Sequence, residues 1–372
     1  MALGTAGLMI SGALTPAAHA VSPPNGSQEV LNGVGADATF AVMSQISGDY
    51  TNDTANTDPD TAVTPPAKLD VGQTFHVPGD SHCAAFDYTV ASPPPNGASA
   101  GISALVADSS GCVDYARSSR GRSGSDPASL DFYAFATDAV SWAAFADVSC
   151  PGQDSKPRGC APKSLTQDQL KGIYLCTEPG GFPKFTDWSQ VGGDPGPIVR
   201  YFTQTGSGTG SFFETKILGL TSAQQGVLDD TACSVRPIRI QQSHGDLVAP
   251  GDHPGAILPY SFGDYTAQTK NVIPDHRAGA VLGWIDDVKP SFGKIKKNAF
   301  LGVRYVYNVS KSTSPSLDAV LDLIGVDASG NGFICSGLEK KVLKKFGFVA
   351  LPLAPAGPGL PDSYCRKNPP PL

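Results

Sequence analysis

The chain is 372 residues long, 40% hydrophobic and 16% charged, with a formal net charge of -7. Those proportions belong to a folded globular protein with room for two lobes or domains, and exclude a disordered segment. They also exclude nucleic acid as the expected partner, because a phosphate backbone demands a basic footprint, whereas a small anion held by local donors stays open.

The first residues read as an export signal. Leu3 to Leu14 is apolar and rich in small residues, and Ala18-His19-Ala20 makes an A-x-A cleavage pattern, so a signal peptide is expected over 1–20. The basic start of such a signal is missing, since no Lys or Arg precedes Lys68. A buried N-terminal helix is the competing reading. No cysteine follows the small residues, so a lipid anchor is not expected. No other stretch reaches the ~18 apolar residues of a membrane span.

After a polar linker at 21–29, Gly33-Val34-Gly35-Ala36-Asp37-Ala38-Thr39-Phe40 is a glycine-rich loop feeding a helix. The apolar positions Phe40, Val42, Met43 and Ile46 carry that helix, with Asp37 or Thr39 as its cap. Residues 51–66 read as loop. Alternation in 70–92 and the run Ala100 to Val106 predict strands, separated by Pro93-Pro94-Pro95. A short strand from Cys112 ends in Ser118, Ser119 and Arg120, with Arg117 and Arg122 as further cations, and a loop fills 121–129. Phe132 to Phe145 is a long apolar strand carrying Asp138 and Trp142. Leu165 to Tyr174 has helical spacing, with Thr166 as cap and Asp168 in the first turn.

Ile198 to Phe213 (IVRYFTQTGSGTGSFF) is the stretch on which the rest is organised. A β-branched and aromatic strand breaks into Gly206-Ser207-Gly208-Thr209-Gly210, then resumes with apolar helical spacing at Phe212, Phe213, Ile217 and Leu218. Such a turn aims unpaired helix N–H groups at an anion; the competing reading is a tight connection with hydroxyl caps. Further on, Val303 to Val309 alternates as a strand, while Ser316 to Ile324 and Gly337 to Phe346 are helical. Lys340, Lys341, Lys344 and Lys345 form a solvated face. No internal repeat of fixed period occurs, and the strand–helix alternation gives an α/β architecture.

Eight cysteines without a CxxC spacing indicate an oxidising compartment and structural bridges rather than zinc or redox chemistry. Neighbours in sequence are the expected pairs, with Cys335–Cys365 holding the Pro-rich tail. No cofactor and no metal are expected.

Taken in order, GVGADATF, VDYARSSR, LTQDQLKGIY with TDW, YFTQTGSGT, HPGAILPYSFG and a late FGF resemble the phosphate-binding proteins of bacterial ABC importers, in a divergent, actinobacterial-like branch. The resemblance runs from about Leu31 to Leu351. It implies an α/β, two-lobed, periplasmic-binding-protein-like type II fold with two interlobe crossovers. Lobe I would comprise 21–136 and 260–355, lobe II 137–259, and the tail 356–372. The implied protein is secreted, lies at the extracellular face of the cell envelope, works as a monomer, and hands phosphate or a similar oxyanion to a membrane ABC permease.

Carried over by motif, the ligand-binding positions are Thr39, Phe40, Ser118, Ser207, Gly208 and Thr209, with Ser119 and Arg120 beside them. Three departures bear on specificity. Ser119 stands where the family places the aspartate that accepts a proton from phosphate and repels sulfate. Thr203 and Thr205 stand where it places an arginine and its aspartate partner. Arg117, Arg120 or Arg200 is the replacement cation and Asp37 or Asp138 the acceptor, unless these arginines are surface charges.

An enzyme is not expected. T-G-S-G-T around Ser207 lacks the G-x-S-x-G of a nucleophile elbow, and His76, His82, His244, His253 and His276 have no catalytic context. A secreted scaffold that keeps the fold but no longer serves import is the main alternative, with a secreted hydrolase behind it. Asp327 to Gly332 begins like an EF-hand loop, but Leu338 at its twelfth position makes it a turn.

Overall fold

The computed structural model describes residues 29–52, 61–64, 94–109, 111–152, 159–221, 224, 227–229 and 233–372. The expected signal peptide, the linker up to residue 28, the strands expected in 70–92 and Cys83 lie outside the described residues. Strands in chain order are β1 (Glu29–Gly35), β2 (Thr61–Thr64), β3 (Tyr115–Ser118), β4 (Leu130–Phe145), β5 (Ser164–Leu165), β6 (Val199–Thr203), β7 (Ile238–Ile240), β8 (Ala256–Ser261), β9 (Ala280–Leu282), β10 (Trp284–Ile285) and β11 (Val303–Lys311). Helices are α1 (Phe40–Asn52), α2 (Ala98–Ala107), α3 (Gln167–Tyr174), α4 (Gly208–Phe212), α5 (Phe262–Thr269), α6 (Phe292–Lys296), α7 (Leu317–Ile324) and α8 (Lys340–Lys345).

One large sheet runs β2-β1-β3-β11-β4-β8-β6-β7. Its ends are parallel (β2-β1-β3 and β8-β6-β7), while β11 and β4 are antiparallel to their neighbours. The sixteen-residue β4 is the spine, almost wholly buried. Along its first half Tyr133 and Phe135 face one apolar core with α1, α7 and α8, while Phe132 and Ala134 face another with Ile102 and Leu105 of α2. Along its second half Val140 and Trp142 pack with α3, Trp188, Phe202 and Phe213, and Ala143 and Phe145 pack with Val248, Leu258 and Tyr260. Two-residue alternation on a strand covered on both faces explains the unbroken apolar run. The two pairs of cores are the two lobes, and β4 and β11 run through both. Segment 280–303 adds Ile285, Ile295 and Phe300 to the second lobe's core.

The expected α/β class holds, as do three sequence-neighbour cysteine pairs among the described residues. Cys150–Cys160, Cys176–Cys233 and Cys335–Cys365 are bonded, and the last pins the tail, whose Arg366 and Lys367 add a short strand to β4. Thr166 caps α3 in a full capping box with Gln169.

Two expectations fail. Ala100 to Val106 is not a strand but the body of α2, because Ala98, Gly101, Ile102 and Leu105 are buried at helical spacing. Residues 61–64, expected as loop, form β2 by pairing with β1. The Asp327 stretch is a turn closed on the Asp327 carboxylate by Ser329 and Gly330.

Candidate functional site

The two lobes meet backbone to backbone. Gly97, just before α2, has φ +111, and a Cβ there would overlap the carbonyl oxygen of Gly206. A Cβ on Gly208, the first residue of α4, would overlap Ser119 Oγ. Glycine is the residue both positions admit. Gln241 in the loop after β7 donates to Asp37 Oδ2 at 3.0 Å, and Asn96 donates to Gln241 Oε1 at 3.1 Å.

At the waist, where the hydrophobic cores give way to polar side chains, lies a buried ion pair. Arg304 of β11 reaches Asp138 of β4 at 2.8 Å, with their side chains 2% and 0% exposed. The same guanidinium donates to Ser119 O at 3.1 Å and Thr209 Oγ1 at 3.0 Å, so it joins both lobes' loops. Its four hydrogen bonds leave one of five N–H groups unused. Asp138 also accepts from Oγ of Ser261, the N-cap of α5, and from Gly263 N in its first turn. A carboxylate held by a guanidinium and a helix N-terminus is well compensated for its burial.

Several polar groups at this seam lack a protein partner: Ser119 Oγ, Gln204 Nε2, Gln242 Nε2 and Asp264 Oδ2, all buried atoms. Three of the four are hydrogen-bond donors. Ser207 caps α4 through Gly210 N and donates to Gln242 Oε1, while Gln242 N donates to Gln204 Oε1, so Gln204, Ser207 and Gln242 are hydrogen-bonded in one chain. Burial, reinforced by Asp37 and Asp138, pushes the Asp264 carboxyl well above the ordinary carboxylate range, against the opposing pull of Ser243 and Arg304. A cleft of about 1030 Å³ opens beside the seam, with Ser119, Arg120, Phe212, Arg304 and Tyr305 in its wall.

The expected site residues divide clearly. Ser119, Gly208 and Thr209 meet around Arg304, and Ser207 joins them through Gln242. Thr39 is fully buried two residues from Asp37, with its hydroxyl on Ala36 O at 3.4 Å. Ala36, not Asp37 or Thr39, is the N-cap of the 3-10 turn that leads into α1. Phe40 carries the Arg117 guanidinium over its ring at 5.4 Å. Ser118 turns its hydroxyl onto Arg120 O. Arg120 binds Asp126, Ser99 Oγ and Gly121 O.

The three arginines considered from the sequence are each held by protein acceptors. Arg117 braces the first loop through Gly33 O, Gly35 O and Ala36 O, and burial pushes its guanidinium down to about 10. Arg200 holds Tyr174 O and Val235 O. Arg304 is the guanidinium that reaches the loops of both lobes, and it pairs with Asp138. The N-terminus of α2, capped by no side chain, also reaches the seam through Gly97 and was missed because that stretch reads as a strand. Paired polar residues on two apolar strands were the signal for Arg304.

This architecture is a periplasmic-binding-protein-like type II fold: two α/β lobes on one interrupted sheet, with helix-initiating loops from both converging at the waist. Among solved structures, the fold is similar to a phosphate ABC transporter substrate-binding protein from Clostridium perfringens described with bound phosphate (18% identity, 86% of this chain and 99% of that chain, TM-score 0.57). It is similar also to an ABC-type phosphate transport receptor from Vibrio cholerae (18% identity, 86% and 99%, TM-score 0.52). No family model matches the sequence, and no curated protein matches it.

Proposed function

We propose that this protein is an extracellular solute-binding protein that takes a small oxyanion, phosphate first, between its lobes and presents it to a membrane ABC permease. The observation that carries the reading is the set of buried donors at the seam: Ser119 Oγ, Gln204 Nε2 and Gln242 Nε2 without protein acceptors, with the Arg304 guanidinium on Ser119 O. Buried donors without acceptors favour an anion that brings its own. In this reading Thr39, Ser119, Ser207, Gly208 and Thr209 line the ligand, and the lobes divide the chain at the waist of β4 and β11. Bound phosphate in the Clostridium perfringens protein of like fold supports the choice of ligand. Disulfides support the extracellular location, and no helix among the described residues is long and apolar enough to cross a membrane.

Asp264 supplies a carboxyl near the seam that the Ser119 substitution takes away elsewhere. A neutral carboxyl donates to an anion, and a charged one demands a protonated ligand, so its state sets the discrimination between phosphate and sulfate. The hydrolase alternative has no support at Ser207, whose hydroxyl donates to Gln242 rather than to a histidine.

Thermal unfolding with increasing phosphate, arsenate or sulfate tests the reading. A receptor gains stability as RT ln(1 + [L]/Kd). A scaffold shows no upward shift with any of the three.

A further inference from the structure

Away from the Arg304–Asp138 pair, one group of metal-capable side chains comes together among the described residues: His244, Asp246 and His276. Two loops deliver them, one after β7 and one after α5. His244 Nδ1 lies 3.2 Å from Asp246 Oδ1, and His276 Nδ1 lies 2.8 Å from Asp246 Oδ2. The candidate ligand atoms all fall within 4.8 Å of one another. The two imidazoles stack with centroids 4.1 Å apart and planes 29° from parallel.

The backbone also holds this arrangement. Asp246 N donates to His276 O at 3.0 Å, and Gly245 sits so close to Arg277 that a Cβ would overlap its carbonyl. The neighbouring positive charge is already neutralised, since Arg277 binds Asp275 through Nε and a terminal nitrogen. What remains at the loop tips is two nitrogen donors and one anionic oxygen, partly open to solvent.

We propose that His244, Asp246 and His276 bind one borderline divalent cation, with zinc the best match. Two imidazoles and a carboxylate are the ligands zinc takes, with a water completing a tetrahedron; calcium and magnesium demand oxygen ligands throughout. Tetrahedral bonds of about 2.0 Å place ligand atoms about 3.3 Å apart. The His244 separation of 3.2 Å lies near that value, and His276, at 2.8 Å from the other carboxylate oxygen, must draw back slightly. Binding through Nδ1 needs the imidazole proton on Nε2, so each Nδ1 gives up its N–H donation to the carboxylate and offers a lone pair to the metal. The ring planes must turn to intersect on the ion, a motion open to the half-exposed His276. The ion would tie the loop carrying Gln241 and Gln242 to the segment after α5. The site stands whether or not an oxyanion binds at the seam.

The test uses the full chain without an affinity tag, freed of metal by a chelator. Zinc chloride is titrated calorimetrically, and cobalt chloride is followed by visible absorption. One equivalent of zinc and the intense visible bands of tetrahedral cobalt are expected. His276→Ala and Asp246→Asn should each weaken zinc at least tenfold and remove the bands, with unchanged near-ultraviolet circular dichroism. Excess calcium or magnesium should not compete. Absence of one-equivalent binding, or equal affinity in both variants, overturns the proposal.

Discussion

Arg304 stands directly opposite Asp138 in the antiparallel pairing of β11 with β4, and the two side chains form a buried ion pair at 2.8 Å. Opposed residues in such a pair put their side chains on the same face within contact distance. The pair sits where both strands leave one lobe's core and enter the other's, with Ala136 and Val306 on one side and Ala139 and Val303 on the other. It therefore links the mechanics of the waist to the loops that carry Ser119 and Thr209.

Removing one partner leaves a buried charge uncompensated. Asp138→Ala or Arg304→Ala should each destabilise the protein by about 3–5 kcal/mol. The double variant should cost less than the sum of the two, because neither charge is then left alone. Urea denaturation of all three variants measures the coupling.

Gly208→Ala places a methyl group on Ser119 Oγ and close to Ala98 Cβ. The lobes then cannot close to the observed distance, so oxyanion affinity should fall about tenfold or more, equivalent to about 1.4 kcal/mol. Urea stability of the free protein should change much less than affinity. Parallel titration and denaturation separate the two effects.

Asp264 gives a pH dependence of definite sign. Its folded-state pKa is raised above the ordinary 3.8, chiefly by burial, so the stability it contributes is complete below that value. The contribution is lost as pH rises through the folded-state pKa. Asp264→Asn removes the ionisation and should stabilise the protein relative to wild type at about pH 7.5, with the gain vanishing near about pH 4. Equal pH profiles for the two proteins would exclude a perturbed Asp264.

The Cys335–Cys365 bridge spans 30 residues and anchors the tail against β4. Loop-closure entropy assigns it about 3.6 kcal/mol. A Cys335→Ala/Cys365→Ala double variant should show that loss in chemical denaturation and expose the tail to proteolysis.

Much of the fold is legible in the sequence because its signals are local. The apolar run of β4, the Thr166–Gln169 box of α3 and the break at Gly206 each declare an element within a few residues. Helix α2 is not legible as a helix, since Ala98, Gly101 and Ala104 are small enough to suit either period and its packing on β1 decides. The site is half legible. Ser119, Ser207, Gly208 and Thr209 follow from motif, but Arg304 does not: 166 residues separate it from Asp138, and strand register alone brings them together. Likewise Arg117, a plausible anion ligand by position, is a structural brace because three backbone carbonyls surround it.

Calorimetric titration of phosphate into the wild type and Ser119→Ala reaches the central claim most directly. The account predicts saturable binding at one equivalent in the wild type. It predicts an affinity about tenfold weaker in Ser119→Ala, the loss of one hydrogen bond to a charged group. No saturable binding by the wild type, or identical affinity in the variant, would contradict the assignment of the seam as the anion site.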